Sequence, residues 1–154
     1  MRPAPWMLPG AYAVEDLTGC ARPLAAYAAI VIVRCLQIIS PTTGEAVTEH
    51  PSIRVGAEYP VLEVLTAGNR VLLRIPELLD TAGHRDSPGV WDAAMFSIMS
   101  SRIPGCWVAE LRGSRLALAP REWQRPGFWD DYFDDVPAAV DEYVRLRAAV
   151  LAEA

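Results

Sequence analysis

The chain has 154 residues, with 52% apolar and 21% charged side chains, which describes one globular domain able to bury a core and excludes a disordered or fibrous chain. Its net charge is −5, and residues 78–154 carry most of it, with eight basic residues against twelve acids. An acidic chain without a basic stripe is a poor match for nucleic acid, whose affinity rests on phosphate neutralisation, so a basic partner is the expectation.

In chain order, residues 1–23 hold Pro3, Pro5, Pro9, Gly10, Gly19 and Pro23 without a steady period, and read as an irregular arm pinned by Trp6 or Tyr12. The segment 29–39 is apolar on both parities and rich in β-branched residues, which predicts a strand buried on both faces. Ser40-Pro41-Thr42-Thr43-Gly44 ends it as a turn. Residues 59–65 predict another strand, Ala67-Gly68-Asn69 a tight turn, and 70–75 a return strand. In that strand Val71, Leu73 and Ile75 share one face and Arg70, Leu72 and Arg74 the other.

Residues 78–89 read as a loop, and 90–99 as a helical turn leading into a short strand. Trp107 to Leu111 and Arg115 to Leu118 form a second hairpin about Arg112-Gly113-Ser114, with Trp107, Ala109 and Leu111 on one side. Trp91, Trp107 and Trp123 are expected in the core. After a turn-rich stretch from Pro120 to Trp129, a helix over 136–153 is predicted, with Asp134 or Asp135 as its cap and Pro137 in its first turn. Val136, Val140, Tyr143, Val144, Arg147 and Leu151 would be its docking stripe. The expected fold is α+β in one domain: a small, mainly antiparallel curled sheet or barrel over 29–118, with the C-terminal helix packed on it.

The chemistry-bearing residues are sparse. Cys20, Cys35 and Cys106 are widely spaced and odd in number, which favours a reducing cytoplasm over a disulfide framework. No secretory signal is legible, and the apolar run from Leu24 to Val33 is too short for a membrane span. His50 and His84 are the only histidines, too few for a zinc site with these cysteines. A Cys106/His84 couple is the one nucleophile–base option, against the commoner reading of Cys106 as a small buried hydrophobe. There is no P-loop and no Gly-x-Gly-x-x-Gly. Asp130, Asp131, Asp134 and Asp135 do not match an EF-hand loop, so neither a metal nor another cofactor is expected.

The most distinctive stretch is Phe128-Trp129-Asp130-Asp131-Tyr132-Phe133-Asp134-Asp135, four aromatics interleaved with four carboxylates. Phe128/Tyr132 and Trp129/Phe133 are i, i+4 pairs on two sides of a helical turn. One pair is expected to plug the end of the sheet, which leaves the other near the surface with the acids. Rings anchor interfaces and acids steer basic partners. The candidate partner-binding residues are therefore Phe128, Trp129, Asp130, Asp131, Tyr132 and Asp134. The alternative is a structural plug, with Asp134 and Asp135 capping the last helix and Asp130 and Asp131 facing water.

The block Ile53-Arg54-Val55-Gly56-Ala57-Glu58-Tyr59-Pro60-Val61-Leu62-Glu63-Val64, the Gly-Asn turn and Val71-Leu72-Leu73-Arg74-Ile75 resemble small bacterial and phage SH3-like barrel proteins. The tail from Trp123 to Asp134 is similar to that of uncharacterised actinobacterial proteins, some of them encoded beside polymorphic toxins as immunity proteins. The resemblance implies a barrel and brings no catalytic residues. The reading it favours is a non-enzymatic protein-binding inhibitor, an immunity protein that neutralises a basic toxin. The alternatives are a phage or mobile-element protein that blocks a host defence protein, and a small enzyme with a carboxylate-bound metal.

Overall fold

Alternation and turn chemistry together produce an α+β fold in the computed structural model, which describes residues 30–76 and 86–152. The arm over 1–23, Cys20, His84 and most of the expected loop lie outside the described residues. The strands are β1 (Val31–Cys35), β2 (Ile38–Ile39), β3 (Ala46–Val47), β4 (Glu58–Pro60), β5 (Glu63–Ala67), β6 (Arg70–Ile75), β7 (Gly89–Asp92), β8 (Phe96–Ser101), β9 (Trp107–Arg112) and β10 (Arg115–Pro120). Two helices close the chain, α1 (Phe128–Phe133) and α2 (Pro137–Ala152). The strands pair antiparallel in three sheets, ordered β4-β1-β8, β7-β6-β5-β10-β9 and β2-β3.

Both expected hairpins form with two-residue loops. Gly68 and Gly113 each take a φ of 60° at the first loop position, where a type II′ turn demands positive φ, so glycine fits there without a Cβ penalty. Gln124 then ties the second hairpin to the chain that follows: its Nε2 donates to the carbonyls of Val108 and Ala119, both at 2.8 Å.

β1 is the central strand of its sheet, and both Ile32 and Val33 are buried, as its two-sided apolar pattern requires. Cys35 packs in the core, where burial pushes its thiol above its ordinary pKa. The expected strand over 29–39 is interrupted at Leu36 and Gln37, whose N–H groups donate to the Met95 carbonyl instead of to a strand partner. The expected strand over 59–65 is likewise two strands. Val61 N–H donates to Val31 in one sheet and Leu62 N–H to Arg74 in the other, so the chain changes sheets between two fully buried residues.

β7 and β9 remain edges of one sheet and β4 and β8 of the other, so the described strands form an open, curled arrangement rather than a barrel. Trp91, Trp107 and Trp123 are buried, as expected. Ala109 and Leu111 do not follow Trp107 inward; Leu111 is 71% exposed, because the β9–β10 hairpin projects beyond the core. The turn expected within 90–99 forms at Ala93–Met95, where the Asp92 carboxylate accepts from Ala94 N–H at 2.9 Å. No helix among the described residues is long and apolar enough to cross a membrane.

The last helix forms and docks, but on a different stripe from the expected one. Ala139, Tyr143, Leu146 and Val150 are buried, whereas Val144 is 57% and Val136 39% exposed. The apolar arc of α2 is wider than one docking face, so burying the side with Ala139, Tyr143, Leu146 and Val150 leaves Val144 outward. Leu146→Ala should therefore cost about 2–5 kcal/mol through the cavity it leaves, and Val144→Ala within about 0.5 kcal/mol. Chemical denaturation of the two variants beside the parent checks this; equal losses would place Val144 in the core.

Candidate functional site

The acidic-aromatic segment is organised by α1. Gly127 starts it in the left-handed region, φ 78°, after the Arg125-Pro126 bend. Its end is a Schellman arrangement: Asp135 N–H donates to Tyr132 and Val136 N–H to Asp131, with Asp135 itself at φ 61°. Asp tolerates that left-handed position better than most residues. Asp134 and Asp135 therefore terminate α1. This corrects the expectation that one of them caps the last helix, since Val136 stands immediately before Pro137.

The i, i+4 logic then divides the rings. Phe128 and Tyr132 are fully buried, so these two candidates are core residues and offer no contact surface. Tyr132 packs on Tyr143 of α2 at 4.4 Å between ring centroids, and Trp123 stacks on Tyr143 at 5.4 Å. The Tyr132 hydroxyl donates to the Asp86 carbonyl, while the Asp86 carboxylate accepts from Tyr143 Oη at 2.6 Å and pairs with Arg147 at 2.9 Å. Burial, with Asp86 beside it, pushes the Tyr143 hydroxyl far above its ordinary pKa, so it stays a donor. One aspartate thus clamps both helices against the strand entry at 86–88.

The second pair lies toward the surface. Phe133 is 45% exposed and Trp129 is half-buried. Asp130 and Asp134 are exposed. Asp131 is not a free acid, because Arg125 Nη1 donates to its Oδ2 at 2.8 Å. Of the six candidate residues, the segment presents Asp130 and Asp134 outward, together with part of Trp129. It also presents Phe133, which is not among those six although its i, i+4 relation to Trp129 places it on that side.

Beneath Trp129 lies a feature without a separate signal in the chain. Glu63 and Arg74 are direct cross-strand partners on β5 and β6, and Arg74 Nε donates to Glu63 Oε2 at 2.8 Å. Their side chains are only 4% and 9% exposed. Arg74 also donates to the Pro88 carbonyl at 3.3 Å, and its guanidinium lies 3.7 Å from the centre of the Trp129 ring. The Trp129 indole N–H faces the Glu63 carboxylate without a hydrogen bond of full geometry. Burial raises the Glu63 carboxyl and lowers the Arg74 guanidinium, and each opposes the shift of the other.

This pair floors a cleft of about 460 Å³ between the β5-β10-β9 surface and the segment from Trp123 to Asp130. Among the described residues no group of three or more His, Cys, Asp or Glu is placed to hold a metal ion. Comparison with family models, curated proteins and solved structures found no match. The resemblance to SH3-like and immunity-type proteins therefore rests on its short motifs alone.

Glu63→Leu with Arg74→Met should be near neutral or stabilising, because it removes both buried charges together. The raised Glu63 carboxyl binds its proton more tightly in the native state. Its contribution to stability is full below the ordinary glutamate value, about 4.3, and is lost as pH rises through the raised native one. The double variant should remove that slope, which stability measured against pH will read.

Proposed function

We propose that this chain is a non-enzymatic protein-binding inhibitor that presents the outer side of α1 to a basic partner, with a toxin neutralised by a cognate immunity protein as the specific case. The observation that carries the reading is the exposed Phe133 set among Asp130, Asp134 and Asp135 on a helix whose opposite side is locked into the core. Val136, 39% exposed, follows directly, and Val144, 57% exposed, adds apolar surface on α2. A ring held rigidly loses little conformational entropy on binding, and surrounding carboxylates accelerate encounter with a cationic surface. Such a surface would occlude the phosphate-binding cations of a nuclease without chemistry of its own.

The test is affinity capture from source cells, followed by an activity assay of whatever basic protein is retained. The unmodified chain should bind and inhibit it. Asp130→Asn with Asp134→Asn should slow association and flatten its dependence on salt between about 0.1 M and about 1 M. Phe133→Ala should instead speed dissociation by about tenfold or more. A captured protein that both variants bind and inhibit as well as the parent does would overturn the assignment.

A further inference from the structure

We propose that the cleft between the β5-β10-β9 surface and the segment from Trp123 to Asp130 binds a small carboxylate ligand with an apolar body, a role distinct from that of the Phe133 side of α1. Its volume, about 460 Å³, is within the range of about 300–1,000 Å³ usual for small-molecule sites. The apolar lining comes from Leu65, Leu116, Ala117, Pro126, Phe128 and Trp129.

Three arginines line the cleft from two walls. Arg112 and Arg115 are direct cross-strand partners at the end of the β9–β10 hairpin, an arrangement of like charges that costs stability. Arg112 is oriented by Glu110 at 2.6 Å and by the Gln124 carbonyl at 2.9 Å. Arg125, on the opposite wall, is oriented by Asp131 at 2.8 Å and lies over the Phe128 ring at 5.2 Å. The Arg115 guanidinium has no ion pair or hydrogen bond among the described residues.

Two fixed guanidiniums and one free one, facing across an apolar cleft, form a receptor for planar oxyanions, which guanidinium binds through paired N–H donors. The ligand's charge is limited from the same rim. Glu110 is committed to Arg112, while the Asp130 carboxylate at the α1 end has no partner among the described residues and would repel a polyanion. A single carboxylate beside Arg115, with its apolar body against Leu65, Pro126 and Trp129, satisfies both conditions. The buried Glu63–Arg74 pair beneath is already neutral as a unit and supplies a rigid floor rather than a second charge site.

Amide chemical shifts of the full chain, titrated with phenylacetate, phenylacetamide and acetate, test the proposal. Phenylacetate should shift the amides of Thr66, Arg115, Leu116 and Gly127. It should bind at least about tenfold more tightly than the neutral amide, as a charge-assisted hydrogen bond implies, and more tightly than acetate, which lacks the apolar body. Arg115→Ala, at an exposed hairpin end, should weaken phenylacetate about tenfold, and Arg54→Ala, elsewhere on the surface, should not. Equal binding of phenylacetate and phenylacetamide to the unmodified chain would overturn the proposal without recourse to any variant. So would unchanged affinity in Arg115→Ala, or phenylacetate shifts confined to residues outside the cleft.

Discussion

The burial of the Glu63–Arg74 ion pair under Trp129 constrains much of the rest of the structure. Two charges removed from water are costly unless they meet each other in good geometry and their remaining donors find partners. The cross-strand register of β5 and β6 supplies the first condition. The Pro88 carbonyl and the Trp129 ring supply the second, so the strand entry at 86–88 and α1 are both held against the same arginine. Where Trp129 sits determines where α1 sits, and that determines which of its sides can face outward.

The aromatic cluster propagates this constraint to the end of the chain. Trp123, Phe128, Tyr132 and Tyr143 pack ring against ring, and the two tyrosine hydroxyls converge on Asp86. α2 is therefore docked through a polar anchor as well as through Leu146 and Val150. A purely apolar helix face could slide or rotate; hydroxyls that must reach one aspartate admit a single placement. The left-handed turn at Asp135 is the short link that lets α2 reverse onto α1.

Part of the candidate interface was legible in the chain because it obeys a local period. Two rings four residues apart must lie on one side of a helix, so an inward pair and an outward pair were foreseeable, and Phe128 with Tyr132 proved to be the inward one. Which acids remain free was not legible. Asp131 is engaged by Arg125 across a bend whose angle depends on Gly127, and no spacing rule foretells that contact. The cleft was less legible still, since Leu65, Arg115 and Trp129 meet only after a hairpin and a helix have packed.

The sequence by itself determined the local elements: the two glycine turns, the paired strands they join, the doubly buried β1, the tryptophan core and a terminal helix after Pro137. Each of these follows from side-chain period or from φ values that glycine and proline favour, and such forces act within a few residues. Only the tertiary structure decided that the strands over 58–67 divide between two sheets, that these sheets stay open, and that α2 docks through Ala139, Tyr143, Leu146 and Val150. It alone buried Arg74, a residue that alternation assigns to a polar face. Burial is a property of what comes to lie on a strand, and Trp129, 55 positions along the chain from Arg74, is what covers it.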